Sequence, residues 1–322
     1  MSIADLERYR PEVAVPGDFD ARWAATLGEA RSHELALRLE TQLSPMTAFK
    51  VDDVTFAGFG GDPVKAWLVR PRQGEDPTPL VVEYNGYGGG RGFPHERILW
   101  PAVGYAYMFM DSRGQGSAWG SGGHTADASG GGDAGGPSIP GFMTRGIQSF
   151  NSYYFRRLIT DAVRALDAAV SLPGIDRDRI AVAGASQGGG LAIAAAGLST
   201  VPTAALVDVP FFCHIARGVA IAEQDPYQEV ARYLSVHRDS TATAMETLSY
   251  VDGVNFAARA TATGLFSAGL RDDVCPPSTV FAALNAWKGD SAINVYDFNG
   301  HEGGQAFQEV RQAAFLSQLW GR

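Results

Sequence analysis

The sequence is poor in cysteine. Cys213 and Cys275 are the only two among 322 residues, too few for a disulfide framework at this size and suited to a reducing compartment. Runs of basic residues are also lacking. The chain has 26 Lys and Arg against 35 Asp and Glu, a net charge of −9, whereas nucleic-acid backbones are held by clustered cations. Nucleic acid is therefore excluded as a partner, and a neutral substrate is expected. No stretch approaches the ~20 consecutive apolar residues that cross a bilayer. The opening Met1-Ser2-Ile3-Ala4-Asp5-Leu6-Glu7-Arg8 mixes charges at once and lacks the apolar core of a secretory signal. The expectation is a cytoplasmic protein that makes no membrane contact. Two further absences limit the chemistry. In His301-Glu302-Gly303-Gly304-Gln305 the second histidine of a zinc-binding His-Glu-x-x-His is replaced by Gln305. The run Gly86-Tyr87-Gly88-Gly89-Gly90 does not have the spacing of a dinucleotide fingerprint and has no basic clamp. No metal and no cofactor are expected.

Apolar material is plentiful. With 45% hydrophobic residues the chain can bury a large core, and residues 1–322 read as one domain with an insertion. Residues 1–50 hold helical pieces, Phe19 to Leu27 and His33 to Glu40, punctuated by Pro11, Pro16 and Pro45; they are expected to wrap the edge of a sheet. Alternating Val54, Phe56 and Phe59, then Val64, Trp67 and Val69, broken by Gly60-Gly61-Asp62, predict an antiparallel hairpin. Short continuous apolar runs follow at Leu80-Val81-Val82, Tyr105 to Met110, Ile180 to Ala183, Ala204 to Val207, Leu265 to Ala268 and Ile293 to Tyr296. Such runs mark strands buried on both faces of a parallel sheet. A helix from Tyr153 to Ser171, with Leu158, Ala162, Ala165, Leu166 and Ala169 at helical spacing, separates two of them. The alternation predicts an α/β fold with a doubly wound, mostly parallel sheet. Residues 213–258 interrupt it with about three helical stretches, among them Tyr227 to Val236 and Thr243 to Tyr250, read as a cap over the sheet's C-terminal edge. Gly114 to Pro140, rich in Gly and Ser, reads as a long surface loop near the site.

Function is most readable at Gly184-Ala185-Ser186-Gln187-Gly188, which follows the apolar run ending at Ala183 and precedes the helix-forming Leu191 to Ala196. Strand, Gly-x-Ser-x-Gly and helix in that order describe a nucleophile elbow, where the turn is too tight for Cβ atoms at the flanking positions. A serine hydroxyl is a weak nucleophile and needs an imidazole to take its proton and a carboxylate to orient that imidazole. Of six histidines, His33, His95, His124, His214 and His237 fall in helical pieces, loops or the cap. Only His301 comes just after the last strand, ahead of a final helix, in the slot of the base. The acid should end the preceding strand, where Asp272 is preferred. Its neighbour Asp273 is assigned to capping the helix that starts near Pro277. Oxyanion donors are expected from the backbone N–H of Gln187, at the helix start, and of Tyr87, in the glycine-rich loop after an earlier strand. Trp100, Phe211 and Phe212 are candidate walls of an acetyl-sized pocket, although aromatic side chains also serve as plain core.

These residues resemble carbohydrate esterase family 7, the acetyl xylan esterases and cephalosporin C deacetylases of the α/β-hydrolase superfamily. The resemblance is carried by Arg113-Gly114-Gln115, Gly184-Ala185-Ser186-Gln187-Gly188-Gly189 and His301-Glu302. It extends over blocks such as Gly92-Phe93-Pro94-His95, Pro140 to Ile147, Asp208-Val209-Pro210-Phe211 and Asp252 to Phe256. It implies a cytoplasmic serine esterase that deacetylates small alcohols, including acetylated xylo-oligosaccharides and cephalosporin C, from within a ring-like hexamer. Residue by residue it puts the triad on Ser186, Asp272 and His301 and the oxyanion donors on Tyr87 and Gln187, with Arg113 and Gln115 bracing the site. The sequence departs from the family at Asn85, where many members carry His, and in the unusually glycine-rich loop from Gly120 to Gly136. Two other readings are a hydrolase of peptides or longer acyl esters and a non-catalytic ligand-binding relative; the latter usually lacks a triad member, and none is missing here.

Overall fold

A mixed sheet organises the computed structural model, which describes residues 1–74, 76–128 and 136–322. Its strands are β1 (Arg38–Thr41), β2 (Phe49–Ala57), β3 (Pro63–Pro71), β4 (Thr78–Tyr84), β5 (Ala106–Met110), β6 (Ile175–Ala185), β7 (Ala204–Asp208), β8 (Thr263–Gly269) and β9 (Ser291–Tyr296), in the spatial order β1-β2-β3-β5-β4-β6-β7-β8-β9. The first three strands and the β3–β5 pair are antiparallel; every pair from β5 to β9 is parallel. The helices are α1 (Ile3–Glu7), α2 (Phe19–Ser32), α3 (Leu99–Ala102), α4 (Tyr154–Ala169), α5 (Gln187–Leu198), α6 (Ile215–Ile221), α7 (Tyr227–Val236), α8 (Thr241–Ser249), α9 (Gly253–Ala257), α10 (Pro277–Ala286) and α11 (Gln305–Leu319). This is the doubly wound, mostly parallel α/β sheet that the alternating pattern predicts.

The β2–β3 hairpin follows its alternation, with Val54 opposite Ala66 and Phe56 opposite Val64, all four side chains buried. The parallel strands β4, β5, β7 and β8 and the C-terminal half of β6 are largely buried on both faces, whereas Ile293 to Tyr296 in β9, at the sheet edge, are only half-buried. On one face Val82, Met108 and Val182 join α4 and α5 residues such as Leu158, Leu166 and Ile193 in the main core. On the other, Val81, Tyr107, Ala181 and Leu206 pack with Trp100 of α3 and Leu316 of α11. From β4 the chain passes through α3 to β5 on one side, then through α4 to β6 on the other. The loops leaving the C-terminal ends of β4 and β6 therefore diverge and open a crevice, the usual place for a ligand in an open α/β sheet.

Two expectations need correction. His33 to Glu40 is not helical; it runs extended into β1, which pairs with β2 at the sheet edge. Leu35, Leu37 and Leu39 recur every second residue and are partly buried against the core, a strand period that outweighs the helix propensity of Leu, Ala and Glu. The loop after Arg113 is not wholly a surface loop either. Gln115, Thr125 and Asp127 are buried, the Gly114 N–H donates to Thr125 O at 2.8 Å, and a Cβ at Gly90 would lie 2.1 Å from Gly122 C. Its glycines let two chain segments cross in contact. Its middle, residues 129–135, lies outside the described residues.

Candidate active site

β6 ends at Ala185 and α5 begins at Gln187, leaving one residue to reverse the chain. Ser186 does so at φ 57°, ψ −120°, in the positive-φ region that costs a non-glycine residue on the order of 1–3 kcal/mol. Surrounding bonds fix it there: its N–H donates to Asp208 O at 3.0 Å, and its carbonyl accepts from Gly190 N at 3.0 Å and Phe211 N at 2.9 Å. The flanking glycines are required sterically. A Cβ at Gly184 would fall 2.3 Å from Gly188 C, and one at Gly188 would fall 2.1 Å from Tyr84 O.

The turn presents the Ser186 hydroxyl to His301, whose Nε2 lies 2.9 Å from Ser186 Oγ. His301 comes from the loop after β9, and its Nδ1 lies 2.9 Å from Asp272 Oδ2. Because a carboxylate only accepts, the ring's Nδ1–H donates to Asp272 and Nε2 is left to accept the serine proton. Asp272 is fully buried as a side chain. Its Oδ1 accepts from the N–H groups of Val274 at 2.9 Å and Cys275 at 2.7 Å, which locks the carboxylate in one orientation. Asp273 does not cap the next helix: α10 starts on Pro277 with no side-chain cap, and a proline at the first helical position has no N–H to satisfy. Glu302 holds the His301 loop, accepting from Gly300 N at 2.9 Å and from the Asn299 amide at 2.5 Å. The Asn299 bond is the main cause of its lowered carboxyl pKa.

The two expected amide donors lie on segments in direct contact. Gln187 opens α5, so its N–H has no intrahelical acceptor, and its side-chain amide donates to Asn85 O at 3.1 Å. Gln115 ties the same two segments together, its Oε1 accepting from Gly88 N at 2.7 Å while its Nε2 donates to Gln187 Oε1 at 2.9 Å and contacts Tyr154 Oη at 3.0 Å. Two residues away, Arg113 is completely buried and makes paired bonds to Asp161, at 2.5 and 2.7 Å, with further contacts to Asp62 at 3.1 Å and Asp127 at 3.3 Å. Burial alone would lower the guanidinium pKa, but these carboxylates, Asp161 foremost, raise it. The arginine thus pins α4 and the glycine-rich loop to the turn before β3.

The structure scatters the three aromatic candidates. Phe211 packs beside the Tyr87 ring, centroids 6.4 Å apart. Phe212 lies in the core against Phe155 at 4.4 Å. Trp100 packs on Tyr105 on the opposite face and lines a cavity of about 450 Å³ that reaches Ala185 and Glu302, next to the serine and histidine. Sequence reasoning missed Asp208, at the end of β7. Its backbone carbonyl holds Ser186 N–H, and its carboxylate accepts from Gln308 at 3.0 Å and Gln312 at 2.7 Å on α11. Burial raises that carboxyl to about 7, against the hydrogen bonds from the two glutamines that lower it. The Asp208 to Phe211 block gave no sign of this role, because both partners are distant in sequence. Among the described residues no cluster of His, Cys, Asp and Glu is arranged to hold a metal ion, and no helix is long and apolar enough to cross a membrane.

Known proteins resemble the chain over nearly its whole length. The family model described as Acetyl xylan esterase (AXE1) matches residues 1–319. An acetyl xylan esterase structure from Paenibacillus sp. R4 superposes with a TM-score of 0.89 at 36% identity, and acetyl xylan esterase 1 from Thermoanaerobacterium sp. JW/SL YS485 with 0.87 at 29%; each match covers 99% of both chains. Acetyl esterase Axe7A of Xylanibacter ruminicola is 33% identical over 145 residues, 45% of this chain and 32% of that protein's length, so the matched region spans about a third of that curated relative. With a serine, a histidine and an aspartate in hydrogen-bonded sequence at the crevice of an α/β-hydrolase sheet, the chain belongs to the acetyl xylan esterase family.

Proposed function

We propose that the protein is a serine esterase that removes acetyl groups from small acetylated alcohols such as xylo-oligosaccharides, with cephalosporin C as a further substrate. The observation that carries this is the continuous chain from Ser186 Oγ to His301 Nε2 at 2.9 Å and from His301 Nδ1 to Asp272 Oδ2 at 2.9 Å. In the reaction His301 takes the Ser186 proton as Oγ attacks the acetyl carbonyl. The N–H groups of Tyr87 and Gln187 receive the developing oxyanion, and the alcohol departs with the proton held by His301. Water then attacks the acetyl-enzyme by the same route and releases acetate. Each oxyanion donor is worth ~3 kcal/mol in the transition state. Arg113 and Gln115 brace the site without touching substrate, and Phe211 beside Tyr87 is the wall residue best supported by its position. The cytoplasmic setting and hexameric ring implied by the resemblance belong to the same proposal; the two buried, unpaired thiols favour a reducing compartment.

The test is steady-state hydrolysis of p-nitrophenyl esters from acetate to octanoate, followed by acetylated xylo-oligosaccharides and cephalosporin C. Acetate should be the best acyl group, and Ser186→Ala should lower kcat by about 10⁴-fold or more. Near-normal turnover by Ser186→Ala would end the proposal.

A further inference from the structure

Tyr87 enters the proposed mechanism through its backbone, yet its side chain is held by a set of hydrogen bonds of its own. The phenol oxygen lies 2.8 and 2.7 Å from the two carboxylate oxygens of Glu229, on α7 of the insertion between β7 and β8. The same oxygen accepts the N–H of Phe142 at 2.8 Å, with those of Met143 at 3.3 Å and Gly141 at 3.4 Å converging on it. Glu229 accepts the Met143 N–H as well, at 3.2 Å. The Tyr87 ring is gripped edge-on by Phe142 and Phe211, centroids at 5.6 and 6.4 Å. Among the described residues Glu229 forms no ion pair in this nest. A buried carboxylate that forgoes a cation is held by its hydrogen-bond donors, and here these are the tyrosine hydroxyl and one loop amide.

We propose that Glu229 is a positioning residue for the reaction: through the Tyr87 hydroxyl it fixes the rotamer of that side chain, and with it the direction of the Tyr87 backbone N–H toward the oxyanion. This rests on the proposed role of Tyr87 as an oxyanion donor. The phenol donates its single proton to the carboxylate and accepts the loop amides, so Glu229, residues 141–143 and the loop after β4 form one unit. The helical insertion thereby acts on the chemistry. A donor amide is effective only if it is aimed before the reaction begins, since aiming it during the reaction adds to the barrier. Glu229 contributes that pre-aiming from 142 residues away in sequence.

The experiment compares wild type, Tyr87→Phe, Glu229→Ala, Glu229→Gln and Ser186→Ala on p-nitrophenyl acetate, with ethylboronic acid as a probe of the tetrahedral state. The probe forms a bond from Ser186 Oγ to boron while the serine proton passes to His301, giving a tetrahedral adduct with a boron-bound oxygen at the oxyanion position. Glu229→Ala and Tyr87→Phe should each lower kcat by ~10- to 100-fold, the range expected for a donor misplaced by up to ~1 Å. KM should stay within about 3-fold, and boronic acid affinity should fall in parallel with kcat. Glu229→Gln, which keeps an acceptor for the phenol, should recover most of the loss. A double variant carrying both Tyr87→Phe and Glu229→Ala, added to the set, should lose no more than the worse single one, because both break the same bond. Unchanged kcat and boronic acid affinity in Tyr87→Phe and Glu229→Ala would overturn the proposal, and so would strictly additive losses in the double variant. Ser186→Ala separates the two levels of the argument: if it stays active, the proposed function fails; if it is dead while the Glu229 variants are unaffected, only this inference fails.

Discussion

Replacing Gly188 by alanine adds a single methyl group at the point where the elbow meets the sheet. The new Cβ would lie 2.1 Å from Tyr84 O and 2.9 Å from Tyr84 C, whereas carbon and oxygen in close contact stand ~3.3 Å apart. About 1.2 Å of separation has to be found. It cannot come from a side chain, because both partners are backbone, and β4 is clamped between β5 and β6. The first turn of α5 must move instead, and it carries the Gln187 N–H and is joined directly to Ser186. Two stability effects oppose each other. Alanine is favoured over glycine inside a helix by ~1 kcal/mol, while overpacking costs ~1–3 kcal/mol, so the variant should fold with a small loss. Catalysis has no such offset: a misplacement of ~1 Å lowers the rate by about 100-fold. Gly197→Ala is the control. Its Cβ would meet Phe256 O at 2.5 Å, a comparable overlap at the far end of the same helix. Thermal melts and p-nitrophenyl acetate kinetics should therefore show both variants folded with similar losses in Tm, but kcat reduced about 100-fold only in Gly188→Ala. Wild-type kcat in Gly188→Ala, or equal inactivation of both, would refute the reasoning.

Two further outcomes are expected. Arg113→Met leaves the buried Asp161 carboxylate without its cation, while Asp127 keeps its pair to Arg157 at 2.7 Å, and an uncompensated buried charge typically costs ~3–5 kcal/mol. Its urea midpoint should fall accordingly, with Arg113→Lys recovering only part because an ammonium cannot reproduce the paired bonds; an unchanged midpoint in Arg113→Met would contradict the bracing role. Asp208, with its carboxyl raised from 3.8 to about 7, keeps a proton in the folded state that the unfolded chain releases at lower pH. The folded state binds more protons between these values, so this carboxyl's contribution to stability falls as pH rises from about 4 to about 7. The melting temperature of Asp208→Asn relative to wild type should shift upward across that interval, and parallel curves would disprove the assignment.

The parts of this fold that could be read from sequence are those where local chemistry leaves few alternatives. The strand-to-helix reversal at Ser186 demands glycines at 184 and 188, and both the demand and the residues are visible within five positions. The buried parallel strands are visible for the same reason, since two covered faces require unbroken apolar runs. His33 to Glu40 was misjudged because its helix-favouring residues are also spaced as a strand, and only pairing with β2 decides between the two. Arg113 stands out in sequence, but its partners Asp62, Asp127 and Asp161 are spread over 100 positions, and no local pattern joins them. Asp208 and Glu229 were missed on the same ground. Each acts through hydrogen bonds to a segment about 100 or more residues away, and an isolated acidic residue carries no mark of what it will face.

Gln115 joins the loop after β4 to the first turn of α5 by accepting from one and donating to the other. An acetyl group offers an enzyme very few atoms to grip, so little binding energy is on hand to pull a loose site into shape. A frame already stitched across its two halves does not need that help. Under the proposed function, rigidity at the reacting end predicts tolerance toward the rest of the alcohol.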